Sequence, residues 1–176
     1  QIWDKSRAAA RKLRSELSKP DSNGISIKGT AKEEIQAEVL VSDGLESAGL
    51  RCRLRLPSDP LLSGAHAVLD PEMRTIWVRS DASAPERRVF IAHELAHFHL
   101  HEGGKLCHCS EPDFAEPEAM RSVGYGPRQR RETEANVFAR EFLLPASEAQ
   151  RLFSGGDDAS ALASRLGIPI GIVFAQ

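Results

Sequence analysis

Residues 87–101 read RRVFIAHELAHFHLH, and their central five residues, HELAH at 93–97, are the most informative pattern in the chain. In an α-helix, which advances about 100° per residue, His93 and His97 lie one turn apart on the same face. Two imidazoles placed in this way can bind one zinc ion. Glu94 follows the first histidine directly, as the general base of a metallopeptidase does in this motif.

A helix is predicted around this motif by evidence that does not depend on the histidines. Ser83 followed three residues later by Glu86 is a capping box, in which each side chain binds the backbone N–H of the other residue. The predicted helix therefore begins at Ser83 and runs to about His101, with the motif in its second half.

A catalytic zinc site needs a third protein ligand and one position for water. In one class of zinc peptidase a histidine six residues after the second one supplies it, but that position is Gly103, with Leu100 at the intermediate position. The alternative is a glutamate from a later helix, where Glu132 and Glu134 are the candidates. Helical projection places Glu132 nearer the buried face, and Asn136 one turn on can hydrogen-bond a ligand histidine. We therefore expect Glu132 to be the ligand and Glu134 to be a solvated charge.

The rest of the chain predicts helices alternating with three short strands. Apolar residues at helical spacing indicate helices, and alternation or β-rich runs between turn residues indicate strands. The predicted helices cover 2–18, 31–48, 83–101, 127–144 and 146–153, the strands cover 51–56, 65–69 and 74–79, and a helix–turn–helix follows over 159–176.

Two of these elements give specific expectations about burial. The strand at 51–56 reads RCRLRL, so Cys52, Leu54 and Leu56 are expected to face the core while the arginines face solvent. In the helix over 31–48, Val39 is expected to be buried. The strand at 74–79 is expected to be an exposed edge that an extended substrate can join.

Composition excludes several classes of protein. Lysine and arginine total 23 against 25 acidic residues, so the net charge of −2 provides no general field for nucleic acid or anionic membranes. No apolar run is long enough to cross a bilayer, which predicts a protein without membrane spans. Three cysteines without framework spacing favour a reducing compartment, and we expect the cytoplasm.

Other residues near the motif are weaker candidates. His101 lies one further turn along the motif face, where it can contact a ligand histidine or the substrate, whereas His99 points away. Tyr125, the only tyrosine, precedes the second ligand helix and is a candidate to stabilise the oxyanion. Cys107 and Cys109 form a lone Cys-x-Cys, which is a weak metal signal, and their role is left open.

Three segments together resemble the ImmA/IrrE family of bacterial metallopeptidases. They are Leu62-Ser63-Gly64 with the hairpin that follows, RRVFIAHELAHFHLH at 87–101, and ETEANVFAREFLLP at 132–145, so that the resemblance covers about residues 60–146. It implies His93, His97 and Glu132 as metal ligands, Glu94 as the catalytic base and Asn136 as a supporting residue.

The resemblance also implies a fold, an activity and a division of the chain. The fold is an α+β, compact zincin-like (minimal gluzincin) domain, whose small three-stranded, mostly antiparallel sheet packs against the HExxH helix and the second ligand helix. We expect a helical segment at 1–49 that packs on the core, a metallopeptidase core at 50–146, and a helix–turn–helix-like segment at 147–176 that is truncated.

The function that the resemblance implies is zinc-dependent cleavage of a specific regulatory protein, a helix–turn–helix repressor that controls stress-response or mobile-element genes. Zn²⁺ is the default metal, with Mn²⁺ or Fe²⁺ as alternatives. Relatives of this kind also suggest fusion to a helicase-like domain beyond the C-terminus. The alternatives are a metal-binding sensor or interaction module without proteolysis, and a DNA-binding regulator. Residues 169–176 contain no lysine or arginine, which argues against DNA binding.

Overall fold

The computed structural model describes residues 3–18, 36–101, 107–109 and 126–176, the backbone alone for 107–109. These residues form seven helices and four strands. The helices are α1 (Asp4–Leu17), α2 (Ala37–Ala48), α3 (Ala84–Leu100), α4 (Pro127–Leu143), α5 (Ala146–Ser154), α6 (Ala159–Leu166) and α7 (Ile170–Phe174). The strands are β1 (Arg51–Arg55), β2 (Ala67–Asp70), β3 (Thr75–Arg79) and β4 (Cys107–Cys109).

The strands form one mixed sheet in the order β1-β3-β2-β4. β2 and β3 are an antiparallel hairpin in which Asp70 pairs with Thr75, and β4 joins the other side of β2, also antiparallel. β1 pairs with β3 in parallel, with Arg51 opposite Thr75. The predicted α+β class and the mostly antiparallel sheet are confirmed, and the structure adds the short fourth strand.

The central strands are covered on both faces, which explains why β2 and β3 are buried along most of their length. Alternate side chains of a strand point to opposite faces. Ile76 and Val78 belong to the main core beneath the helices, whereas Trp77 and Val68 pack with Leu62 in a second, smaller cluster. The segment before β2 therefore covers the face of the sheet that the helices do not.

Two expectations about the sheet are wrong. The strand at 74–79 is not an edge, because β3 lies between β1 and β2. β1 is also less buried than its alternation predicts: Cys52 packs against the main core, but Leu54 is 49% exposed and Leu56, which follows the strand, is exposed too. The physical reason is position, because β1 lies at the end of the strand order and has one partner strand among the described residues.

The buried face of α2 also differs from the prediction. Leu40 and Val41 are buried, whereas Val39 is exposed. Gly44 lies on the buried face, where an added Cβ would come within 3.0 Å of the Leu95 side chain and 3.4 Å of the Phe142 side chain. The glycine therefore permits α2 to approach α3 and α4 closely.

α1 holds the C-terminal end of α4 through two side chains, Arg11 and Arg14, which we call the α1 arginine pair. Arg14 donates to the carbonyl of Phe142 at 2.8 Å and to Glu148 at 2.7 Å, while Arg11 donates to the buried carboxylate of Glu141 at 2.6 Å. Burial holds the pKa of the Arg14 guanidinium below its ordinary value, although the charges of Glu148 and Glu141 act in the opposite direction. The last carbonyls of a helix have no partner within the helix, and Arg14 supplies one.

Candidate metal centre

The HExxH motif lies in the most enclosed part of α3. The helix begins at the predicted capping box, where Ser83 accepts from the backbone N–H of Glu86 and the Glu86 carboxylate accepts from the backbone N–H of Ser83 at 2.7 Å. All nine residues from Val89 to His97 are buried. This stretch is enclosed because α3 packs against α4, α2 and the sheet, so the histidines and Glu94 are part of the interior.

Three of the predicted site residues come together at one point. His93 Nε2 and His97 Nε2 are 3.0 Å apart, and the carboxylate of Glu132 lies 3.3 Å from the first and 3.7 Å from the second. Glu132 reaches them from the first half of α4, where its side chain is 25% exposed. One ligand atom from each of the three residues lies within 4.8 Å of the other two.

These separations fit a metal ion of zinc's size. Ligand atoms bound at about 2.0–2.1 Å in a tetrahedron lie about 3.3 Å from one another. The donor set, two imidazoles and one carboxylate, is also one that catalytic zinc sites use, with the fourth position left for water. The residues present therefore fit the group that the motif implies.

The charge state of Glu132 suits this role. Burial disfavours its ionised form, but hydrogen bonds with His93 and His97 outweigh burial and hold the pKa of the carboxyl far below its ordinary value of 4.5. A carboxylate must be deprotonated to bind a metal. Glu94, the residue predicted to be the base, is 0% exposed.

His101 makes the contact with His97 that the sequence suggested. Its Nδ1 atom lies 2.9 Å from Nδ1 of His97, and its Nε2 atom lies 3.1 Å from the carboxylate of Glu134. Burial holds the pKa of His101 below its ordinary value of 6.5, although the hydrogen bond with Glu134 acts in the opposite direction. Asn136 is half-buried on α4, one turn after Glu132, and its bond to a ligand histidine stays a prediction.

Glu134 is a correction to the sequence analysis. It is not a solvated charge, because its side chain is 19% exposed and bonded on both oxygens, to His101 at 3.1 Å and to Arg130 at 3.1 Å. The signal that could have found it was His101 itself. A third histidine at the same helical spacing as the first two extends the polar face, and it needs a partner on the facing helix.

The remaining candidates have different outcomes. His99, which the sequence left as either packed or solvated, packs with its ring stacked on Phe138 at a centroid distance of 6.2 Å. Tyr125 lies outside the described residues, so its role stays a prediction. The backbone of Cys107 and Cys109 is in β4, paired with β2, and nothing is described of the side chains.

The family comparison agrees with this geometry. Residues 52–174 match the IrrE N-terminal-like domain family (Peptidase_M78). The chain belongs to this metallopeptidase family. A comparison with curated proteins found no match. The match extends beyond β1–α4 into α7, so it includes the C-terminal helices as well as the candidate site.

The C-terminal helices α6 and α7 follow one another across a short turn, and their helix–turn–helix-like character stays a prediction. α6 ends at Gly167, which has the left-handed φ of 68°, and α7 follows Pro169. α7 has five residues, buries Ile172 and Val173, and exposes Phe174. No helix within the described ranges has the length and apolar character that crossing a membrane requires.

Proposed function

We propose that this protein is a zinc-dependent endopeptidase that cleaves a specific regulatory protein, a helix–turn–helix repressor. The observation that supports it most is the convergence of His93, His97 and Glu132 around one point, with the buried Glu94 directly after the first histidine. The three converging side chains hold the metal. Membership of a metallopeptidase family supports the same activity.

When bound, zinc supplies a water of lowered pKa and polarises the carbonyl of the scissile bond. The residues of the chain provide the remainder of the chemistry. Glu94 accepts the proton of the attacking water and then donates it to the leaving amine, as a general base and a general acid in turn. The enclosure of α3 keeps this carboxylate in a site of low polarity, where its interaction with a developing charge is stronger than in water.

The proposal that the substrate is a repressor comes from the resemblance to the ImmA/IrrE family. Such a substrate implies that the protein acts in the cytoplasm, where repressors bind DNA. α7 has no cationic side chain with which to contact phosphates. We therefore assign regulation of transcription to cleavage and not to DNA binding through α7.

The test compares the wild type with Glu94→Gln in an extract of the organism that encodes the chain. New protein N-termini are quantified by mass spectrometry, and zinc per chain is measured beside them. Glu94→Gln is expected to retain about one zinc per chain, because the three ligands remain, and to lose at least about 100-fold in cleavage rate. Glu132→Ala is expected to lose zinc as well as cleavage.

Each part of the proposal has its own contradicting result. Equal cleavage by the wild type and Glu94→Gln would contradict the assigned base. No zinc in the wild type, even after reconstitution, would contradict the metal site and favour a sensor or interaction module. New N-termini found only in proteins without a helix–turn–helix would support the peptidase activity and contradict the proposal that the substrate is a repressor.

A further inference from the structure

A chain of four side chains runs from the candidate metal site to the surface. His97 Nδ1 lies 2.9 Å from His101 Nδ1, His101 Nε2 lies 3.1 Å from one oxygen of Glu134, and the other oxygen lies 3.1 Å from Nε of Arg130. His97 is buried and Arg130 is exposed. The chain joins the second half of α3 to the first half of α4, and its members other than His97 lie outside the ligand set.

The directions of the two hydrogen bonds of His101 follow from one condition. If Nε2 of His97 is a metal ligand, that nitrogen has no proton, so the neutral ring has its proton on Nδ1. Nδ1 of His101 must then accept this proton's hydrogen bond and has none of its own. The proton of His101 is consequently on Nε2, where it is donated to Glu134.

We propose that His101 and Glu134 are positioning residues for the metal ligand His97. Glu134 holds His101 in the tautomer that presents an acceptor, and His101 in turn holds His97 in the tautomer and ring orientation that present Nε2 to the metal. A histidine ligand commonly donates its second nitrogen to such a partner, and loss of the partner weakens metal binding. This inference rests on the metal site proposed above.

The same contacts have a simpler interpretation, in which His101 and Glu134 only join α3 to α4. That interpretation predicts that removing Glu134 lowers the stability of the metal-free protein and leaves the zinc affinity of the folded protein unchanged. The positioning role predicts the opposite pattern, because polar contacts that keep some exposure to solvent contribute little to stability, whereas the tautomer of His97 acts directly on metal binding.

Zinc affinity, measured by competition with a chromophoric chelator, separates the two. Glu134→Leu is expected to weaken zinc binding by about 10- to 100-fold. Glu134→Gln is expected to keep most of the affinity, because its amide oxygen still accepts from His101. Gln129→Leu, a polar-to-leucine change at an exposed position of the same helix, is the matched control and is expected to bind zinc as the wild type does.

Two results would contradict the positioning role of His101 and Glu134 without contradicting the metal site. One is unchanged zinc affinity in Glu134→Leu, and the other is an equal loss in Glu134→Gln, which would assign the effect to charge and not to the hydrogen bond. A wild type that binds no zinc would instead contradict the proposed function, and with it the positioning role of His101 and Glu134.

A second measurement needs no variant and therefore does not depend on folding of the leucine substitution. Nitrogen-15 spectra of the histidine rings in the zinc-loaded wild type report which ring nitrogen has the proton. We expect His97 to be protonated at Nδ1 and His101 at Nε2. Protonation of His101 at Nδ1 would overturn the proposal, because that nitrogen could then accept nothing from His97.

Discussion

The two helices that form the candidate site are anchored at opposite ends. α3 is fixed where it begins, by the capping box of Ser83 and Glu86, and its site residues lie further along in the fully enclosed stretch. α4 is fixed where it ends, by the α1 arginine pair. At its start, Gly126 provides no side-chain cap, and the partly exposed Glu132 lies in that half.

The difference indicates how the site combines rigidity with adjustment. The histidines of α3 are held by the packing that forms the core, so we expect their positions to be set before any ligand binds. Glu132 lies on the half of α4 whose contacts are polar and partly solvated, and such contacts rearrange at low cost. We expect the metal to be the agent that fixes this half of α4.

The largest expected effect concerns the anchored end of α4. Arg14→Met should lower the free energy of unfolding by about 3 kcal/mol, because it leaves a mostly buried carboxylate and the last carbonyls of α4 without their partner. Lys12→Met is the control, since Lys12 lies on the same helix with its side chain 78% exposed and 4.0 Å from Glu16. Both are measured by urea unfolding with the metal chelated. Equal stability of the two variants would mean that Arg14 does not hold the end of α4.

Substitution at the start of α3 should lower the free energy of unfolding less than substitution of Arg14 does. Ser83→Ala removes the side chain that accepts from the backbone of Glu86, and loss of such a cap costs about 1 kcal/mol of unfolding free energy. Ser58→Ala, at an exposed position outside the helices, is the matched control. A loss as large as that of Arg14→Met would contradict the view that the core, more than its cap, fixes α3.

The smallest effect is a dependence on pH. Hydrogen bonds from Ser83 lower the pKa of Glu86 below its ordinary 4.5, so the ionised carboxylate adds stability above that value and loses it as the pH falls through its folded pKa. A charge at a helix N-terminus contributes about 0.5 kcal/mol, so Glu86→Gln should be less stable than the wild type by that amount at neutral pH. Once the pH is below the folded pKa of Glu86, the two unfolding curves should coincide; a constant difference would contradict the assignment.

The features that could be predicted from the sequence are those set by neighbouring residues within one helix. The capping box and the apolar spacing predict α3 and α4 within a few residues, and helical geometry is sufficient to place His93 and His97 together. The orientation of Glu132 follows from the same geometry, because the buried face of an amphipathic helix determines which of two nearby glutamates turns inward.

What could not be read was pairing between distant segments. Nothing in RCRLRL shows that β1 pairs in parallel with β3 and lies outside it. Because this pairing was not predicted, the strand at 74–79 was wrongly expected to be an exposed edge. The bond between Glu134 and His101 joins two helices, and the contact of Arg14 with Phe142 spans 128 residues. Such contacts depend on how the elements pack, which the spacing within one element does not encode.

The contact between α1 and α4 has a consequence for how the protein is divided. The family match begins at Cys52, whereas Ala10 and Leu13 of α1 belong to the main core and Arg14 satisfies the end of a site helix. A polypeptide shortened to the matched region would lose those contacts and present the apolar side of α4 to water. The region that matches the family is therefore smaller than the unit that packs together in this chain.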